Sequence, residues 1–127
     1  MASVGERPGP RDRAVQARER ERRGEHAEAA ALWAQLATQR AVGARRAEAL
    51  AEQAKLLAGP LARLQEAFDV WRRAFANDPS RPDVLEALAA EAHRRGDWLL
   101  LAAVLRRRAR TAAVSYTHLT LPTKLEV

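Results

Sequence analysis

"LARLQEAFDVW", residues 61–71, is the stretch on which the fold turns. Leu64, Phe68 and Trp71 recur at i, i+4 and i+7, and Phe75 extends the row. That spacing puts all four on one face of an α-helix predicted over residues 61–77. Two other stretches repeat the same order of turn and helix: "GEHAEAAALW" at 24–33 and "GDWLLLAAVL" at 96–105. Trp33 and Trp71 hold the same place in their helices, 38 residues apart, and Leu105 follows Trp71 by 34. Self-similarity at such a period is the mark of stacked helical repeats, in which one helix pair cannot bury its apolar face alone.

Around these landmarks the chain is rich in Ala, Leu, Arg and Glu and poor in β-branched residues, a helix-forming composition. The first helix is predicted from Arg13 to about Arg23, where Gly24 breaks it. The second, over 26–40, places Ala29, Leu32, Trp33 and Leu36 on one stripe, and Val42 and Gly43 mark its end, with Gly43 as a left-handed C-cap. The third, over 44–58, turns Leu50, Ala54 and Leu57 inward. Gly59 and Pro60 end it and open the fourth, because Pro is tolerated in a helix's first turn. Asp78 and Pro79 stop the fourth helix, and Ser80 with Asp83 fits a capping box for the fifth. That helix runs from about Pro82 to Arg94 with Leu85, Leu88 and Ala92 inward. Gly96 and Asp97 form the next turn, and Asp97 suits the N-cap of a sixth helix beginning near Trp98.

The pattern resembles the tetratricopeptide repeat family, whose 34-residue units are pairs of antiparallel helices. It is best matched between Glu66 and Leu105. In that family a small residue early in the second helix is followed one turn later by an aromatic, then by Ala and a closing Pro. Ala67, Trp71, Ala74 and Pro79 hold those places here. Leu85, Leu88, Ala89 and Ala92 match the next first helix, and Gly96, Asp97 and Trp98 its turn. Gly24, Ala29 and Trp33 match in the first pair. The first pair lacks the closing Pro, and Leu101 stands where the third pair's small residue belongs. The resemblance implies an all-α, right-handed solenoid of three stacked helix pairs, over about 13–43, 44–79 and 80–113, behind a disordered leader at 1–12. Ala29 and Ala67 would let helices approach closely while Trp33 and Trp71 fill the gaps, each burial contributing about 3 kcal/mol.

Composition narrows the chemistry. The chain has no Cys, which excludes a disulfide framework and a thiolate metal site. The net charge is +6, carried almost wholly by Arg. An excess of Arg and Ala is also what GC-rich coding, common in bacteria, produces on solvated helix faces. The first residues lack the apolar core of a secretory signal and no apolar run approaches a membrane span, so a cytoplasmic chain is the default. His26 and His93 fall in different pairs, with no carboxylate cluster at metal-ligand spacing. Glu25 and Glu28 suit the positive end of a helix dipole better than acid–base work. There is no Gly-rich phosphate loop and no nucleophile motif, so neither an enzyme nor a cofactor is expected.

The resemblance implies a partner groove lined by the first helix of each pair. Carried over by position, it includes Arg18 and Arg22 in the first pair, Glu52 and Lys55 in the second, and Asp83, Glu86, His93 and Arg94 in the third. Such a groove suits an acidic peptide segment or a C-terminal carboxylate, and makes the chain a protein-interaction scaffold. Two alternatives stand beside it: a basic helical module for nucleic acid or an anionic surface, with an arginine stripe including Arg94, Arg95, Arg106 and Arg107, and a non-catalytic segment of a larger enzyme or regulator.

"VSYTHLTLPTKLEV", residues 114–127, is unlike anything before it in the chain. It resembles a translated transposon-end sequencing adapter: the codons GTC TCT TAT ACA CAT CTG ACG CTG CCG ACG give Val114 to Thr123 without a mismatch, and the adapter's later GTG TAG gives Val127 and a stop. The segment holds one Lys and one Glu, so its removal leaves the charge at +6. The expectation is a metagenomic fragment whose natural chain continues past Ala113 into further repeats, with a tail that packs consistently against nothing. The sixth helix carries Leu99, Leu100, Leu101, Val104 and Leu105, more than one neighbour can cover, and part of that face is expected to be exposed and prone to association.

Overall fold

The structure is a computed structural model that describes the backbone of residues 10–125 and the side chains of 12–112. Among the described residues it is all helix, with no strand: α1 (Pro10–Arg22), α2 (His26–Gln39), α3 (Ala44–Ala58), α4 (Leu64–Asn77), α5 (Pro82–Arg95) and α6 (Trp98–Leu125). The chain divides into two compact units, Met1–Asp78 and Pro79–Val127.

In the first unit each helix packs on the next, α1 on α2, α2 on α3 and α3 on α4. Position in that series sets burial. Among the described side chains of α1 only Ala17 is buried, whereas α3, with neighbours on two sides, buries Ala47, Ala49, Leu50, Ala51, Ala54, Leu56 and Leu57. Alanine dominates these contacts, and its small side chain permits close helix approach. The bulk comes from Trp33 and Leu36 on α2 and from Phe68, Val70 and Trp71 on α4, all buried, with Ala29 and Ala67 buried one turn before each tryptophan.

In the second unit α5 packs on α6. Val84, Leu85, Leu88, Ala89 and Ala92 are buried on α5, but among the described side chains of α6 only Val104 is. Part of the face expected to be exposed on the sixth helix is so, with Leu99 87% and Leu105 44% exposed, while Trp98, expected as a structural aromatic, is 62% exposed.

Two turns are built alike. Gly24 (φ 80°) and Gly96 (φ 72°) take the left-handed conformation that costs Gly nothing. The following residues close the same backbone ring, Glu25 N–H to the Arg20 carbonyl at 2.9 Å and Asp97 N–H to the Ala92 carbonyl at 2.9 Å. Asp97 also caps α6, its Oδ1 accepting the Leu100 N–H at 3.2 Å, as its position predicted.

Several boundaries differ from the sequence expectation. Pro10 to Asp12 already belong to α1, while residues 1–9 of the expected leader lie outside the described residues. Pro60 does not open α4. The carbonyls of Lys55, Leu56 and Leu57 take the N–H groups of Gly59, Leu61 and Arg63 instead, and Ala62, at φ 53°, interrupts the helical path. Helix α4 therefore starts at Leu64, which is 47% exposed rather than on the buried row. The longer spacing between the first tryptophans arises here, since α3 begins 20 residues before α4 but α5 only 16 before α6.

Gly43 is not the C-cap of α2. Arg40 ends that helix in an extended conformation, its carbonyl covered by the Arg46 guanidinium at 2.7 and 3.0 Å, while Gly43 precedes α3 at φ 128° and ψ −154°. The N-cap of α5 falls on Arg81, one residue after Ser80. Finally, α6 does not stop near Ala113; its backbone continues as helix through the adapter-like segment to Leu125. The packing expected of that tail concerns side chains outside the described residues.

Candidate functional site

The groove residues expected from sequence fall into two groups, one in each unit. In the first unit, Arg18 of α1 and Glu52 and Lys55 of α3 form one cluster. Glu52 Oε2 lies 3.7 Å from the Arg18 guanidinium and 3.7 Å from Lys55 Nζ, so two cations flank one carboxylate. The Glu52 side chain is 17% exposed and that of Arg18 50%, which leaves the arginine half in solvent.

Local structure holds Arg18 in place. Its guanidinium carbon sits 5.0 Å from the centroid of the Trp33 ring, within range of a cation–π attraction. Trp33 is fixed in turn, since its indole N–H donates to Glu21 Oε2 at 2.8 Å. Arg18 and Glu21 are three residues apart on α1, so one helix face supplies both the residue over the ring and the acceptor at its edge. Sequence reasoning missed Glu21. The signal was available: a buried Trp needs a partner for its N–H, and α1 offers a carboxylate at the spacing that faces it. Arg22, one turn after Arg18, pairs with Glu19 and stands apart from the cluster.

In the second unit Asp83 is held by Arg81, which donates from Nε at 3.1 Å and from a terminal nitrogen at 2.9 Å, and it accepts the Val84 N–H at 2.8 Å. Asp83 and Glu86 line an open cleft of about 440 Å³ with Pro82, Leu85, Arg108 and Thr111. His93 meets Trp98 edge to face, with ring centroids 5.9 Å apart and planes at 81°. Trp98, expected as a structural aromatic, is thus a half-supported ring on the surface. Arg94 pairs with Glu91. His93 and Arg94 do not line the cleft that holds Asp83 and Glu86.

Most arginines of α1 to α5 with a resolved partner are neutralised nearby. Arg23 approaches Glu19 at 3.5 Å, Arg40 meets Glu48 at 3.1 Å, and Arg95 meets Glu91 at 2.8 Å. Arg20 donates to Glu25 at 2.7 Å, and this hydrogen bond, reinforced by the carboxylate's charge, raises the Arg20 pKa above its ordinary value. Apart from Arg40, whose side chain is 8% exposed, these arginines reach solvent, where water and salt screen their pairs. Helix α6 is different: between Trp98 and Ala112 it carries Arg106, Arg107, Arg108 and Arg110 and no acidic residue.

Among the described residues no group of three or more His, Asp or Glu side chains is placed to hold a metal ion, and no helix is long and apolar enough to cross a membrane. No protein-family model, curated protein or solved structure matches the chain.

Proposed function

We propose that this chain is a protein-interaction scaffold built as a tetratricopeptide-like array of helix pairs, with no catalytic role of its own, and that the face shared by α1 and α3 captures an acidic peptide segment or a C-terminal carboxylate. The observation that carries this is the meeting of Arg18, Glu52 and Lys55. Arg18 and Glu52 lie 34 residues apart on the first helices of successive pairs. Equivalent positions of neighbouring pairs that meet on one side are what a repeat array uses to track an extended ligand.

The chemistry suits an anionic ligand. Two cations share one carboxylate at 3.7 Å, a separation at which a surface pair is weak, so a peptide carboxylate can compete for Arg18. The planar guanidinium, already oriented over Trp33, loses less freedom on binding than a free arginine, and it can meet a carboxylate through two parallel hydrogen bonds. Pairing of Arg20, Arg22, Arg94 and Arg95 with nearby carboxylates supports this reading over a nucleic-acid surface at those positions, since such a surface needs unpaired cations tracking a phosphate backbone.

The test is fluorescence anisotropy of a labelled peptide with a free C-terminal carboxylate and acidic side chains, titrated with the full chain. Arg18→Ala and Lys55→Ala should each weaken binding about tenfold, the scale of a charge-assisted contact. An amidated, neutral peptide of the same length that binds equally well would refute the proposal.

A further inference from the structure

The exposed side of α6 plays no part in that face. Trp98, Ala102, Leu105 and Ala109 recur at i, i+4, i+7 and i+11, so they form one stripe along the helix. Leu99, Arg106 and Arg110 run along its flank. Val104, the buried residue among the described side chains of α6, lies on another side of the helix. The stripe is open: Trp98, Leu99 and Leu105 are among the most exposed large apolar residues described. Trp98 is nevertheless oriented, because His93 meets its ring edge to face.

The surface is polarised along the helix axis. Its first half is apolar, through Trp98, Leu99 and Leu105, and its second half is cationic, through Arg106 and Arg110. With no acidic side chain between Trp98 and Ala112, nothing on that stretch of α6 itself neutralises the arginines. A complementary surface therefore needs apolar anchors at one end and carboxylates at the other.

We infer that this face of α6 docks an acidic amphipathic helix from a partner protein, with apolar side chains covering Trp98, Leu99 and Leu105 and carboxylates meeting Arg106 and Arg110. Helix-on-helix docking through residues spaced three and four apart supplies the register, and an exposed tryptophan supplies the kind of anchor on which binding energy concentrates. A second copy of α6 fits poorly, since it brings an equally basic helix with no carboxylate to receive the arginines. A bilayer surface also fits less well, because a helix lying in the interface needs its apolar face along its whole length with basic groups beside it. This inference is independent of the α1 and α3 site.

The experiment uses the full chain and a fluorescein-labelled synthetic helical peptide with Leu at i, i+3, i+4 and i+7 and Glu in the flanking positions, alongside a counterpart with every Glu replaced by Lys. The Glu peptide should bind at least about tenfold more tightly than the Lys peptide, and its affinity should fall with added salt. Trp98→Ala should weaken it about thirtyfold, the hot-spot scale. Arg106→Ala combined with Arg110→Ala should weaken it about tenfold and flatten the salt dependence. The loss caused by Trp98→Ala should persist in a chain that also carries Arg18→Ala and Lys55→Ala, where the first acidic-peptide face is removed, which separates this surface from the first. The substituted side chains on α6 are largely solvent-facing, and unchanged far-UV circular dichroism shows that the variants fold. Equal binding of the two peptides, or indifference to Trp98→Ala, overturns the inference. So does self-association of the chain, measured by sedimentation without peptide, that Trp98→Ala abolishes, or binding to phosphatidylglycerol-containing vesicles with none to the Glu peptide.

Discussion

Replacing Trp33 by Ala removes the side chain that links core and candidate site. Trp33 is 1% exposed, donates to Glu21 at 2.8 Å and lies under Arg18 at 5.0 Å. A buried tryptophan removes roughly 200 Å² from water, worth about 5 kcal/mol at 25 cal/mol per Å², an upper figure because unfolded chains bury some of that surface. Core truncations of this size cost about 3–5 kcal/mol, and loss of the cation–π contact adds about 0.5–1 kcal/mol. Trp33→Phe keeps most of the apolar volume but loses the N–H. Glu21 is only partly buried, so water can replace that donor, and the expected cost is about 1 kcal/mol. The two variants should therefore differ by about 2.5–5 kcal/mol in urea unfolding followed by circular dichroism, seen as a shift in midpoint at constant slope. If Trp33→Ala lies within about 1 kcal/mol of the parent, the ring does not wedge α1 against α2 and the packing account fails.

Ala29 and Ala67 are buried one turn before the tryptophans, so Ala29→Leu or Ala67→Leu should overpack the helix contact and cost about 1–3 kcal/mol, read by the same urea titration; a neutral effect at both sites would mean that close approach is not required there. Backbone conformation gives an opposed pair. Gly96→Ala places a Cβ at φ 72° and should destabilise by about 1 kcal/mol, while Ala62→Gly relieves φ 53° and should stabilise by about 0.5–1 kcal/mol, so thermal midpoints should move in opposite directions. At Gly43, φ 128° and ψ −154° is reserved almost wholly to Gly, so Gly43→Ala should cost about 1–3 kcal/mol although nothing lies within 4 Å of the added Cβ.

Apolar spacing made the interior of the helices legible. Phe68, Trp71, Leu50, Leu57, Leu85 and Leu88 are all buried where the 3.6-residue period put them. Helix ends were less legible, because several local devices can satisfy the same terminal carbonyls. Gly43 looked like a C-cap by composition, yet arginine side chains do that work at the end of α2, and Gly59 with Pro60 continues the closure of α3 rather than opening α4. Val84, not counted in the inward row of α5, is fully buried as well, and it lies one turn before Leu88 on the same face. The family resemblance singled out Arg18, Glu52 and Lys55, which the structure brings together, but not Glu21, whose contact with Trp33 comes from a neighbouring helix. The exposed charges Arg22 and Arg94 looked equivalent to Arg18 in the sequence. What distinguishes Arg18 is the ring beneath it, and that contact comes from packing between helices.

The most direct test of the proposed partner face is nuclear magnetic resonance of the full chain as an acidic peptide with a free C-terminal carboxylate is added. The indole N–H of Trp33 reports on the site through Arg18 and Glu21, while the indole of Trp71, buried on α4, serves as an internal control. The account predicts saturable shifts at the Trp33 indole and at the Arg18 and Lys55 side chains, all with one dissociation constant and with the Trp71 indole unmoved. Saturable shifts that leave Trp33, Arg18 and Lys55 in place while moving other residues would contradict it.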